Sequence, residues 1–216
     1  MKPILRLRLP ALSAQLEADL LSQVHDLETT SIGVTVTAIE QRAKQENDVS
    51  TLEQIDSLKR LYNFAFLPKH LKKVVSHELE QQVRNELMIT LPADIDFEIQ
   101  AVTADSFPCD SFVHHDGHKP GSRRVGWYYL LSNSTARTSF YTSDRSPVYG
   151  LVWSPSDVTE TAAETMQQHN WYSFNHNHIH GVKGITAPRH ALVINFSSAF
   201  DSYESCMENF RDLISK

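Results

Sequence analysis

From Ile95 onward the chain breaks into short runs rich in Ile, Val, Phe, Trp, Tyr and Thr, punctuated by Gly, Pro, Asn, Asp and Ser. That texture restricts the fold to a few architectures, because half-buried strands need β-branched and aromatic residues and tight turns need the others. The runs Ile95–Thr103, Ser111–His115, Val125–Leu131, Thr138–Thr142, Val148–Trp153, Trp171–Asn175 and Arg189–Ser197 read as strands. Many short strands with regular turn signals close into a sandwich or a barrel-like roll. The preceding part has another period. Leu16, Leu20, Leu21 and Val24 follow helical spacing behind Ser13, a plausible N-cap, and Ser50 to Tyr62 is also helical. Pro68 to Met88 carries a stripe of Leu71, Val74, Val75, Leu79, Val83 and Leu87. The expected fold is α+β, mainly β, with N-terminal helices packed on one sheet.

With 216 residues, 41% of them hydrophobic, the chain can bury the core of one domain. Residues 1–94 are expected to form a mainly helical support, 95–200 the strand-rich core and 201–216 a C-terminal helix. A net charge of −6 argues against an obligate nucleic-acid partner, since phosphate binding demands a basic surface. The start, Met1 to Arg8, alternates charge with apolar residues, and no run of 18 apolar residues occurs, so no membrane span or signal peptide is expected. The two cysteines, Cys109 and Cys206, sit in no metal-binding or redox spacing, which fits a reducing, cytoplasmic setting. A homodimer is compatible with the sequence.

Histidine is the anomaly. Eight of the eleven histidines lie between His114 and His190. In an extended strand, residues two apart share a face, so His114 and Asp116 can converge on one point while His115 faces away. His118 fits a loop better than a ligand shell. In Asn175-His176-Asn177-His178-Ile179-His180, any of the three histidines can supply a third ligand. Two imidazoles and one carboxylate on one face of an octahedron leave three open positions, unlike the closed tetrahedral shell of structural zinc. Arg189 opens the last strand, and a guanidinium pointing into such a site would grip a carboxylate with two parallel hydrogen bonds.

His114-x-Asp116, followed by Arg123 and Arg124, by Trp127-Tyr128-Tyr129-Leu130, by His180-x-Val182 and by Arg189 nine positions later, resembles the catalytic core of the 2-oxoglutarate and Fe(II)-dependent dioxygenases, in particular their prolyl-hydroxylase-like branch. The resemblance covers roughly residues 95–200. It implies a double-stranded β-helix, or jelly roll, with helices on one sheet. It also implies Fe(2+) held by His114, Asp116 and His180, with 2-oxoglutarate and O2 as co-substrates and ascorbate as a candidate reductant. Arg189 would anchor the distal carboxylate. Tyr129 would offer its phenol to the same group, with Tyr128 the alternative, and Asn195 shares the face of Arg189 by two-residue periodicity. The nine-residue gap to Arg189 selects His180 over His176 and His178.

The implied activity is hydroxylation of a C–H bond, on a small molecule or a peptidyl residue, with release of succinate and CO2. The basic loop from Gly117 to Arg124 and the polar loop from Thr142 to Pro147 are candidates for the rim, whereas Trp153 and Trp171 are given no role. A cupin-like metal-binding protein without oxygenase activity is the rival reading, and Arg189 separates the two. A zinc hydrolase is disfavoured because the sequence has no His-Glu-x-x-His helix.

Overall fold

The structure is a computed structural model that describes residues 2–26, 28–29, 40–62, 69–103, 107–116, 125–147, 152–196 and 198–214. Strand β5 (Val125–Leu130) shows how the core is organised. Its Val125, Trp127 and Tyr129 point to one side of the sheet, into a cluster completed by helices, and Leu130 points to the other side. Strand β10 (Arg189–Asn195) divides in the same way, with Leu192 and Ile194 towards the helices and Ala191 and Val193 opposite. The centre of the sheet is therefore buried on both faces, and β5 and β10 read as almost continuous apolar runs.

The other strands are β1 (Ile4–Leu7), β2 (Glu28–Thr29), β3 (Lys69–Val74), β4 (Asp96–Thr103), β6 (Arg137–Thr142), β7 (Thr159–Thr165), β8 (Trp171–Asn175) and β9 (Ile179–Lys183). They form a seven-stranded sheet in the order β1-β8-β5-β10-β4-β3-β2 and a three-stranded sheet in the order β7-β6-β9. Every pairing is antiparallel. An irregular segment extends the small sheet: Cys109 bridges Ile185, and His114 bridges both His180 and Val152. From β4 onward the chain passes repeatedly between the two sheets. Phe140 of the small sheet packs with Leu130, Tyr172, Phe174 and Val193 of the large one. This is the expected α+β jelly roll, mainly β.

Helix α1 (Ala14–Ser22) is capped by Ser13, whose hydroxyl accepts from the Leu16 amide, and α3 (His77–Leu87) is capped by Ser76 in the same way. Between them in sequence lies α2 (Val49–Tyr62), and α4 (Tyr203–Asn209) follows the last strand. Leu16 and Leu20 of α1, Leu79, Val83 and Leu87 of α3, and Tyr203, Cys206 and Met207 of α4 fill the core behind the large sheet. The Ser13 amide and hydroxyl both donate to Glu86, at 2.6 Å each, which ties the start of α1 to the end of α3.

Three expectations change. The helix read from Pro68 to Met88 is a strand followed by a helix. Lys69–Val74 pairs with β4, from Lys69 opposite Thr103 to Val74 opposite Glu98, and the helix starts only after the Ser76 cap. The open edge of β4 offers backbone partners that helical spacing of Leu71 and Val74 could not reveal, and Val74 is solvent-exposed. The N-terminal region expected to be mainly helical thus also supplies β1, β2 and β3. Finally, Ser111–His115 and Val152 contribute isolated bridges in place of regular strands, with 148–151 outside the described residues.

Leu20 is fully buried where α1 meets the rest of this core. Leu20→Ala is expected to lower unfolding free energy by about 2–5 kcal/mol in urea denaturation. A loss below about 1 kcal/mol would show that α1 is not docked as described.

Candidate metal centre

A reciprocal backbone pair builds the site. The His114 amide donates to the His180 carbonyl and the His180 amide to the His114 carbonyl, both at 2.8 Å. The two rings consequently lie 4.4 Å apart between centroids, on the side facing the large sheet. The strands approach closely here because position 181 is glycine: a Cβ on Gly181 would sit 2.9 Å from the Phe112 carbonyl oxygen. Two residues beyond His114, Asp116 turns its carboxylate to the same point. One ligand atom from each of His114, Asp116 and His180 lies within 4.8 Å of the others.

The backbone sets the tautomers. His114 Nδ1 donates to the Phe112 carbonyl at 3.1 Å, and His180 Nδ1 donates to the His178 carbonyl at 2.8 Å. A carbonyl can only accept, so the neutral rings carry their protons on Nδ1 and present Nε2 lone pairs. Those lone pairs face Asp116, with His114 Nε2 at 3.4 Å from Oδ1 and His180 Nε2 at 3.9 Å from Oδ2. Three acceptors converging on one point call for a cation between them, and the donor set suits a divalent metal with open positions.

The titration directions reflect the same crowding. Burial would lower the His114 pKa, but its contact with Asp116 outweighs this and the net direction is upward. His180 is pulled down to about 3, chiefly by burial and then by the neighbouring His114. Burial would raise the Asp116 carboxyl, yet His176, His114 and His180 more than reverse it, leaving it well below the usual carboxylate range.

The centre opens into a cavity of about 140 Å³ between the two sheets. Its far wall holds Arg189, whose guanidinium donates to the Met166 thioether at 2.9 Å. Burial draws the Arg189 pKa down to about 10, so it stays charged at neutral pH. Among the described residues it has no acidic partner. A thioether is a weak acceptor, and a buried cation satisfied only by one is poised for an anion. Thr138, Gln100 and Ser111 add polar atoms to the wall.

Two of the residues assigned from sequence lie away from the cavity. Tyr129 points away from the cavity: its phenol donates to Glu17, accepts from the Leu12 amide at 3.0 Å and packs with Trp171 in the helix-side core. Tyr128, one residue earlier and therefore on the opposite face, lines the cavity instead. Asn195 shares the face of Arg189 but lies at the other end of β10, opposite Gly126 and Asp96, and is not part of the cavity wall. Of the rival histidines, His115 faces away and donates to the Asn177 carbonyl at 3.0 Å, and His178 contributes its carbonyl rather than its ring. His118, Arg123 and Arg124 lie outside the described residues. By spacing alone His176 is a candidate ligand. It is buried beside Asp116, to which its Nδ1 donates, and Met166 and Thr138 gave no sequence signal at all.

No family model and no curated protein matches the chain. Solved structures similar to it include a viral collagen prolyl hydroxylase from Paramecium bursaria Chlorella virus-1, in complex with 2-oxoglutarate, at 9% identity and TM-score 0.35, covering 59% of this chain and 78% of that one. A Pseudomonas putida prolyl-4-hydroxylase is 12% identical with TM-score 0.33, covering 83% of this chain and 97% of that one. A Trichoplax adhaerens prolyl hydroxylase in complex with a hypoxia-inducible-factor peptide is 11% identical with TM-score 0.38, covering 84% and 88%. Bacillus subtilis oxalate decarboxylase, at 16% identity and TM-score 0.32, is similar over 59% of this chain and only 25% of its own. Likenesses this distant carry no functional weight, and the chemistry rests on the residues themselves. Among the described residues, no helix is long and apolar enough to cross a membrane.

The opposite facing of the two tyrosines is directly testable. Tyr129→Phe leaves Glu17 without that hydrogen bond and is expected to cost about 1–3 kcal/mol of stability, measured by denaturation. It should leave ligand binding at the cavity within twofold of wild type, and a large loss of binding would place Tyr129 in the site after all.

Proposed function

We propose that this chain is a non-haem Fe(II) oxygenase that uses 2-oxoglutarate, with His114, Asp116 and His180 as metal ligands and Arg189 as the anchor for the distal carboxylate. The observation that carries the reading is the buried Arg189 guanidinium, without an acidic partner among the described residues, in the same cavity as three convergent ligand atoms. A metal shell alone, as in the cupin-like alternative, leaves that cation unexplained. A dicarboxylate bound to the metal at one end supplies its partner at the other.

Each residue then has a defined task. His114 and His180 present Nε2, their Nδ1 protons being held by backbone carbonyls. Asp116 supplies the anionic ligand, and its low pKa keeps it ionised. Arg189 fixes the far end of the co-substrate, which converts a diffusing reactant into a placed one. Phe174, Val182 and Ala191 give the cavity apolar walls that limit water around the reacting groups. When bound, iron(II) with 2-oxoglutarate and O2 supplies the oxidising chemistry that hydroxylates a C–H bond and releases succinate and CO2. The substrate is a small molecule or a residue on a peptide, and the same cavity serves either.

Anaerobic titration of the Fe(II)-loaded protein with 2-oxoglutarate is expected to give the weak visible charge-transfer band of the chelate. Arg189→Ala should weaken 2-oxoglutarate binding on the order of 10- to 100-fold, as expected for losing charged hydrogen bonds of about 1.5–3 kcal/mol. Binding of pyruvate, which has no distal carboxylate, should change far less. Absence of the band in wild type, or equal losses for both acids, removes the assignment.

A further inference from the structure

His176 is 3% exposed and directly follows β8, outside the three-residue ligand group. Its ring bridges two groups of different kinds. Nδ1 contacts Asp116 Oδ2, and Nε2 lies 3.2 Å from the Tyr128 hydroxyl. A carboxylate can only accept, so the neutral ring carries its proton on Nδ1 and donates it to Asp116. Nε2 is then an acceptor, and the phenol donates to it. The chain runs in one direction: Tyr128 O–H to His176, His176 N–H to Asp116.

The fold reserves space for this bridge. Gly126 faces the ring from the neighbouring strand, where a Cβ would lie 2.9 Å from His176 Nε2 and 3.0 Å from the Tyr128 ring. The Phe174 ring packs against it at a tilt, 4.7 Å between centroids. Beyond β8, the Asn175 side chain accepts from the Asn177 amide at 3.0 Å, which closes the turn and fixes where His176 leaves the strand.

We propose that His176 is a positioning residue of the metal centre: held by Tyr128, Phe174 and the gap at Gly126, it occupies Oδ2 of Asp116 so that the carboxylate meets the metal through Oδ1 alone. The inference rests on the metal-ligand reading above but not on the choice of 2-oxoglutarate. A one-oxygen ligand leaves a coordination position that a two-oxygen carboxylate would fill. His176 thereby contributes to metal affinity and to the number of open positions without touching the metal.

The test uses Co(II) as the probe, titrated into the metal-free full chain without any 2-oxo acid, and reads both affinity and the visible d–d spectrum. His176→Ala is expected to weaken Co(II) binding by 10- to 100-fold, as the loss of an outer partner does at other metal centres. His176→Asn keeps an N–H donor near the Nδ1 position and should recover much of the loss. Gly126→Ala removes no polar group, yet it should weaken binding in the same direction by pushing the ring aside. Thermal melting of the metal-free variants separates this effect from misfolding, and Gly126→Ala and His176→Asn keep the test decisive if His176→Ala does not fold. Affinity for His176→Ala within twofold of wild type overturns the proposal. So does His176→Asn behaving no better than His176→Ala. A His176→Ala spectrum showing one nitrogen ligand fewer also overturns it, because His176 would then be a ligand itself. Failure of wild type to bind Co(II) at all would refute the metal reading, whereas normal Co(II) behaviour without 2-oxoglutarate binding would refute only the co-substrate.

Discussion

The antiparallel pair between His114 and His180 is the constraint on which the site depends. Two 2.8 Å backbone hydrogen bonds join residues far apart in sequence and place both imidazoles on one face. The pair is an isolated bridge at the end of β9, where the ladder becomes irregular. That position matters. In a regular strand the next residues would continue along the sheet, whereas here the chain is free after His114 to turn Asp116 back towards the two rings. Gly181 permits the approach by offering no Cβ against Phe112. A small sheet of marginal regularity is thus organised around a few backbone contacts, while the large sheet, packed on both faces, supplies the rigidity.

The large sheet also separates two chemistries by parity. On the helix side, Val125, Trp127, Leu192 and Ile194 are apolar, and Tyr129 is satisfied by Glu17. On the other side, Tyr128, Arg189 and Ala191 line the cavity. Shifting β10 by one residue would move Arg189 from the cavity face to the helix-side face.

Much of this was legible in the sequence, for identifiable reasons. The run Trp171–Asn175 is a strand with the expected ends because aromatic residues on both faces leave no competing helical period. His114, Asp116 and His180 converge as the two-residue spacing and the gap to Arg189 implied. Parity at Tyr128 and Tyr129 was not legible, because adjacent aromatic residues on a doubly buried strand satisfy either face equally. β7 was invisible: Thr-Glu-Thr-Ala-Ala-Glu-Thr has almost no apolar residue to alternate, and as an edge strand it needs few. β3 hides in the helical pattern because Leu71 and Val74 continue the period of the helix that follows them. By local spacing His176 is indistinguishable from His178 and His180, since its partners Asp116, Tyr128 and Gly126 come together only in three dimensions.

Charge balance gives a further reason to favour a dianionic co-substrate. The cavity brings together one fixed cation, Arg189, and one carboxylate held ionised, Asp116, and these cancel. A divalent metal at the three ligands adds two positive charges in a site that burial has largely desolvated, where uncompensated charge is costly. A monoanion would leave one positive charge unbalanced, and a neutral ligand two. A dicarboxylate spanning from the metal to Arg189 would restore neutrality and would give each of the two cationic centres its own carboxylate, the arrangement that the proposed co-substrate requires.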